Sequence, residues 1–153
     1  MATRSTIAIK EEDGKVKGIY CHWDGYINSN GKILMNHYSD VDKIRQLINI
    51  GDLSSLDKEI GEKHDFDKPP EGVCNFYSRD WEEENTDPIE AESLTDFYKK
   101  GGKEEYNYVY SVKDGQWYVD NAGEYDGKFR TLNQAFEELR KAEEEQNIDS
   151  FVP

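Results

Sequence analysis

The chain is poor in most features that mark a functional class. It holds two cysteines, Cys21 and Cys74, in 153 residues. That is too few to spell a disulfide-stapled secreted scaffold. Positive charge is scarce: 19 Lys and Arg stand against 33 Asp and Glu, for a net charge of −14. Such a surface repels phosphate backbones and anionic lipid, which argues against direct nucleic-acid or membrane binding. No apolar run approaches a membrane span. The opening MATRSTIAIK lacks the apolar centre of a signal peptide. A reducing cytoplasm with two free, buried thiols is the expected setting. Walker, GxGxxG, GxSxG and HExxH patterns are missing, and YINSNGK, with one glycine and one lysine, is too little for a phosphate loop.

Aromatics are what the chain has in quantity. Apolar residues make up only 35%, but there are ten Tyr, six Phe and three Trp. Each buries a large area, so one core in one domain suits this length.

Two hairpins are written in the sequence. Ile7 and Ile9 alternate with polar neighbours, as do Ile19, Cys21 and Trp23, and Asp13-Gly14 supplies the turn between them. Alternation predicts Ile19, Cys21 and Trp23 on the core face and Tyr20, His22 and Asp24 on the other. Tyr106–Val112 and Gln116–Asp120 repeat the arrangement around Asp114-Gly115. Between the hairpins, KILMNHY predicts a short helix. Ser39 and Asp42 resemble a capping box for a second, with Val41, Ile44, Leu47 and Ile48 inward and Gly51 as its stop. LSSLDKEIG extends the helical region, EKHDFDKPPEG is a loop, and VCNFYSRDW reads as a third strand. SLTDFYKKGG is a helix capped by Ser93. Thr131 and Gln134 form a capping box for the last helix, expected over about 132–146, with Leu132, Phe136 and Leu139 buried. The expected fold is one α+β domain over 1–153. Its mostly antiparallel sheet has about five strands, helices pack on one face, and an acidic excursion covers about 82–92.

The start MATRSTIAI, then GIYCHWDGY, NGKILMNHY and INIGDLSSL, is similar to a group of small proteins encoded by bacteriophages and prophages. GVCNFYSRDW and EEYNYVYSVKDGQWYV fit the same pattern, so the resemblance covers most of the chain. It implies a phage accessory protein acting in the cytoplasm of an infected bacterium, and it brings no catalytic residue set. Small non-structural phage proteins often act on host enzymes or host defences, which makes a host-directed role the implied prior.

The chemistry-bearing candidates gather in IYCHWDGY and YSRDW, and the second is expected beside the strand end of the first. His22 and Asp24, two apart in a strand, project together, and an imidazole beside a carboxylate is an oriented base. Arg79 offers a fork for phosphate or carboxylate, and Asp80 a second acid. The catalytic candidates are therefore His22, Asp24 and Asp80. The bland alternative is a turn held by local hydrogen bonds. Metal binding is not expected: Cys21 and His22 point to opposite faces, and no zinc spacing occurs among Cys21, His22, His37, His64 and Cys74. The Tyr106, Tyr108, Tyr110 ladder is either packing or a stacking wall.

Three functions follow. First is an acidic interaction protein that inhibits or modulates a host protein with a basic surface, such as an anti-phage defence protein, through Asp80, Glu82, Glu83, Glu84 and Asp87. The alternative is a nucleotide-signal sponge with a pocket of Tyr20, His22, Asp24, Arg79 and Tyr108, with Arg4 and Arg130 as further cations. Third is a small phosphoesterase-like or nucleotide-modifying enzyme. None needs a cofactor.

Overall fold

In this computed structural model, residues 2–121 and 128–150 are described. The strands in chain order are β1 (Ser5–Lys10), β2 (Val16–Cys21), β3 (Leu53–Ser55), β4 (Asn75–Phe76), β5 (Ile89–Ala91), β6 (Tyr106–Ser111), β7 (Gln116–Asn121) and β8 (Arg130–Thr131). The helices are α1 (Lys32–His37), entered through a π-helical turn at Ile27–Gly31, α2 (Val41–Ile50), α3 (Tyr77–Trp81), α4 (Leu94–Lys99) and α5 (Leu132–Ser150). All eight strands join one α+β sheet in the order β4-β3-β2-β1-β6-β7-β8, with β5 also paired to β2.

Both hairpins form where their turn residues place them. Ile7 lies opposite Ile19 around Gly14 at φ 90°, and Tyr108 opposite Val119 around Gly115 at φ 66°. Five of the seven strand pairings among the described residues are antiparallel, in keeping with the expected mostly antiparallel sheet. The sheet differs from the expected one in three ways. It is mixed: β1 and β6 run parallel, Ile7 beside Tyr108, and β2 and β3 meet in parallel at Cys21 and Leu53. Among the described residues it has eight strands rather than about five. Both of its faces carry helix.

On one face Ile7, Ile9, Ile19, Cys21, Tyr108 and Trp117 pack against Leu34 of α1, Ile44, Leu47 and Ile48 of α2, and Leu132 and Ala135 of α5. On the other, Ala8, Val16 and Val109 pack against Ala91 of β5 and Phe97 of α4. Gly18 belongs to this second face because a Cβ there would come within 2.6 Å of the Phe97 ring.

Local signals account for the helix ends. The α5 box closes reciprocally: Gln134 N–H donates to Thr131 Oγ1 at 3.2 Å, and Thr131 N–H to Gln134 Oε1 at 3.1 Å. Ser93 caps α4. For α2 the cap is Asp40, accepting from Asp42 N–H at 2.9 Å, and not Ser39. The segment expected to prolong that helix is β3. YSRDW is helix α3 rather than strand, and the acidic excursion contains β5. Among the described residues no helix is long and apolar enough to cross a membrane.

Candidate functional site: an aromatic shelf with an acidic rim

The IYCHWDGY stretch leaves the sheet one pair of residues earlier than its alternation suggests. Cys21 is the last residue of β2 and is buried. Beyond it the main chain still runs along β3: His22 N–H donates to Leu53 O and Trp23 N–H to Ser54 O, both at 3.0 Å. Asp24 then adopts φ 59°, a left-handed conformation that ends extended structure. Asp24 therefore does not share a strand face with His22. Gly25 follows because a Cβ would lie 2.9 Å from Thr3 O. The loop is pinned from below, with Gly25 O accepting from the Tyr108 hydroxyl at 2.6 Å and Trp23 O from Asn30 Nδ2 at 3.1 Å.

Trp23, expected in the core, is 45% exposed. His22 meets the indole edge-on at 4.7 Å, and its Nδ1 lies 2.7 Å from the Tyr20 hydroxyl.

The expected adjacency of YSRDW to this strand end is half right. β3 stands between them, pairing Leu53 with Cys21 on one side and Phe76 on the other. All three side chains enter the larger core. Their neighbours Tyr20, Ser54 and Tyr77 consequently turn to the opposite side. There Tyr77 starts α3. Phe66, from the preceding loop, packs on Tyr77 at 5.7 Å and stacks on Trp81 at 4.8 Å and 22°. Trp81 is 58% exposed, the most open large apolar side chain of those described. Phe66, Tyr77 and Trp81 form an aromatic shelf; across β3, Tyr20 lies within electrostatic reach of Tyr77 and forms a second cluster with His22 and Trp23.

Carboxylates rim the shelf. Glu82, at φ 54°, stops α3, and Glu83 N–H donates to Tyr77 O at 3.0 Å, so Glu82, Glu83 and Glu84 emerge exposed directly after Trp81. Exposed Asp65 and Asp67 flank Phe66. Glu82 is bridged by Lys63 at 2.8 Å. Asp52 sits at the junction: Oδ1 accepts from Tyr20 N–H at 2.9 Å, while its main chain bonds Thr86 O and Tyr77 N–H. Burial, reinforced by the charges of Asp87 and Glu83, pushes the Asp52 carboxyl up to about 6. Burial also raises the Tyr20 and Tyr77 hydroxyls.

Arg79 and Asp80 have another role. Arg79 spends every N–H of its guanidinium inside the protein: Nε on Asp80 Oδ1, Nη1 on the Ile60 and Gly61 carbonyls, and Nη2 on Cys74 O and Asp80 Oδ2, all at 2.9–3.2 Å. The Phe76 ring lies 4.6 Å beneath it. A guanidinium has five donors, so a phosphate could bind only by breaking one of these bonds. Asp80, its side chain fully buried, also accepts from Phe76 N–H at 2.8 Å and His64 N–H at 3.1 Å. Burial opposes its charge, but the bonds from Arg79 and the two amides hold the carboxyl below its ordinary value. Asp80 is thus no rim carboxylate, and neither residue joins His22.

Tyr108 lies in the core, fully buried, and cannot wall a surface pocket. Exposed Arg4 lies near Tyr20 with Glu104 also beside it, so its charge is locally countered. Arg130 lies 3.2 Å from Glu138 at a cleft of about 250 Å³ that no shelf residue lines. Cys21 and Cys74 are free and buried, and burial pushes the Cys21 thiol up to about 12, the opposite of a reactive thiolate. Among the described residues no three His, Cys, Asp or Glu gather as metal ligands.

Phe66 and Trp81 of the shelf, and Asp52 behind it, are what sequence reasoning missed. A tryptophan directly before three glutamates was the available signal. No family model, no curated protein and no solved structure matches the chain.

Proposed function

We propose that this is an acidic interaction protein that docks its aromatic shelf on a basic surface of a host protein. In the phage setting implied by the sequence resemblance, docking inhibits or modulates that partner in the cytoplasm of the infected cell. The observation that carries the reading is Trp81, 58% exposed and stacked on Phe66 in the midst of carboxylates. Exposed aromatic clusters with a charged rim are typical of recognition surfaces. The net charge of −14 selects a basic partner and speeds its encounter.

The nucleotide and phosphoesterase readings draw less support. Both counted on a free Arg79 fork, and the internal bonds consume it.

Quantitative capture from host lysate tests the proposal, with the native protein and the Trp81→Ala and Glu83→Lys/Glu84→Lys variants side by side. The expected result is a stoichiometric partner held at low salt, released at high salt, and lost by both variants. A partner retained equally by all three proteins places the interface elsewhere. No stoichiometric partner at all overturns the docking reading.

A further inference from the structure

The shelf has a geometry that distinguishes between the two kinds of cation a basic surface can offer. One face of the Trp81 indole rests on Phe66 at 4.8 Å, nearly parallel. Tyr77 lies 6.2 Å from the indole and 5.7 Å from Phe66, so both neighbours sit on one side, and the 58% exposure of Trp81 leaves the opposite face open to solvent. That face is flat and electron-rich, and the exposed Glu83 and Glu84 follow it closely in the chain. A planar guanidinium can lie flat on such a ring while its edge donates two parallel hydrogen bonds to a carboxylate. An ammonium, compact and strongly hydrated, does only one of these at a time.

Resting on the reading of the shelf as a docking surface, we infer that it is an arginine-reading surface, whose partner presents arginine rather than lysine to Trp81 and its glutamate rim. Charge complementarity selects this occupant over a second copy of the chain, because self-docking would bring two surfaces of net charge −14 together. The buried polar hub beneath supports the selection. Arg79 donates to Gly61 O and Cys74 O at the two ends of the loop that carries Phe66, and Asp80 accepts from His64 N–H within it; this keeps Phe66 stacked and the indole in one orientation before any partner arrives.

The probes are hexa-arginine and hexa-lysine, equal in length and charge, titrated by calorimetry at matched ionic strength. The native protein should bind hexa-arginine about tenfold more tightly, the share expected of a partly desolvated cation–π contact. Trp81→Ala should abolish that preference and leave a weaker, salt-sensitive affinity common to both peptides. Glu83→Lys, at an exposed site that leaves the fold intact, should weaken both peptides.

Equal affinities in the native protein overturn the arginine reading and leave a charge-driven docking surface standing. A preference that survives Trp81→Ala also overturns it. Binding of neither peptide overturns both readings, and concentration-dependent self-association under the same conditions would make the second copy the occupant.

Discussion

Asp52→Asn should make the protein more stable at neutral pH while leaving it unchanged in acid. Asp52 sits half-buried behind Tyr20, near Asp87 and Glu83, and its carboxyl is pushed from 3.8 up to about 6. Between those values the folded state holds a proton that the unfolded chain has released. Folding stability therefore falls as pH rises through this window, and the whole penalty is present above about 6. A carboxyl displaced that far carries a penalty of at most about 3 kcal/mol. Partial exposure screens the charge, which brings the expected effect to about 1–2 kcal/mol. Asparagine keeps an oxygen for the Tyr20 N–H, bonded at 2.9 Å in the native protein, and removes the charge. Urea unfolding of both proteins from about pH 3.5 to 8, compared as a difference, isolates this residue from other titrating groups. The stability gap should open between about pH 4 and 6 and stay constant above. A gap independent of pH, or a variant less stable than the native protein at neutral pH, would refute the reasoning.

Two further substitutions probe the scaffold. Asp80→Ala leaves Arg79 charged, enclosed and short of two acceptors, so it should cost about 3–5 kcal/mol in the urea midpoint analysis. Gly18→Ala drives a methyl to within 2.6 Å of the Phe97 ring and 2.8 Å of Ala8 Cβ. It should cost about 1–3 kcal/mol, and Phe97→Leu in the same chain should recover part of that loss in thermal unfolding.

Local chemistry was the legible part of this sequence. Asp13-Gly14 and Asp114-Gly115 named their hairpins, and Thr131 with Gln134 named the start of α5, because each signal is complete within a few residues. β3 and β5 were not legible. Each has three residues, too few for a period, and each is paired by strands distant in the chain: β5 with β2, and β3 with β2 and β4. The same distance in sequence hid the parallel pairing of β1 with β6. Alternation carried past Cys21 puts Trp23 in the core, whereas the strand has already ended and Asp24 at φ 59° turns the chain away.

The candidate site was legible in its segments but not in its roles. Arg79 looked like a ligand fork because nothing in YSRDW says that Ile60, Gly61 and Cys74 will turn their carbonyls toward it. Those bonds nevertheless tie the hub to the shelf. Asp80 accepting from His64 N–H and Arg79 donating to Gly61 O fasten the loop before Phe66, Asn75 Nδ2 donating to Phe66 O fastens it at that residue, and Arg79 donating to Cys74 O fastens its far end. A loop left loose would have to be ordered when a partner arrives, at about 1–2 kcal/mol per residue fixed. Fastening it in the free protein removes that cost from binding and assigns it to folding. Asp80→Ala, where it still folds, should therefore weaken docking at Trp81 although Asp80 touches no partner. The loss should appear in the association of an arginine peptide even under conditions where the variant is fully folded. An unaltered affinity would show that the hub stabilises the fold without ordering the shelf.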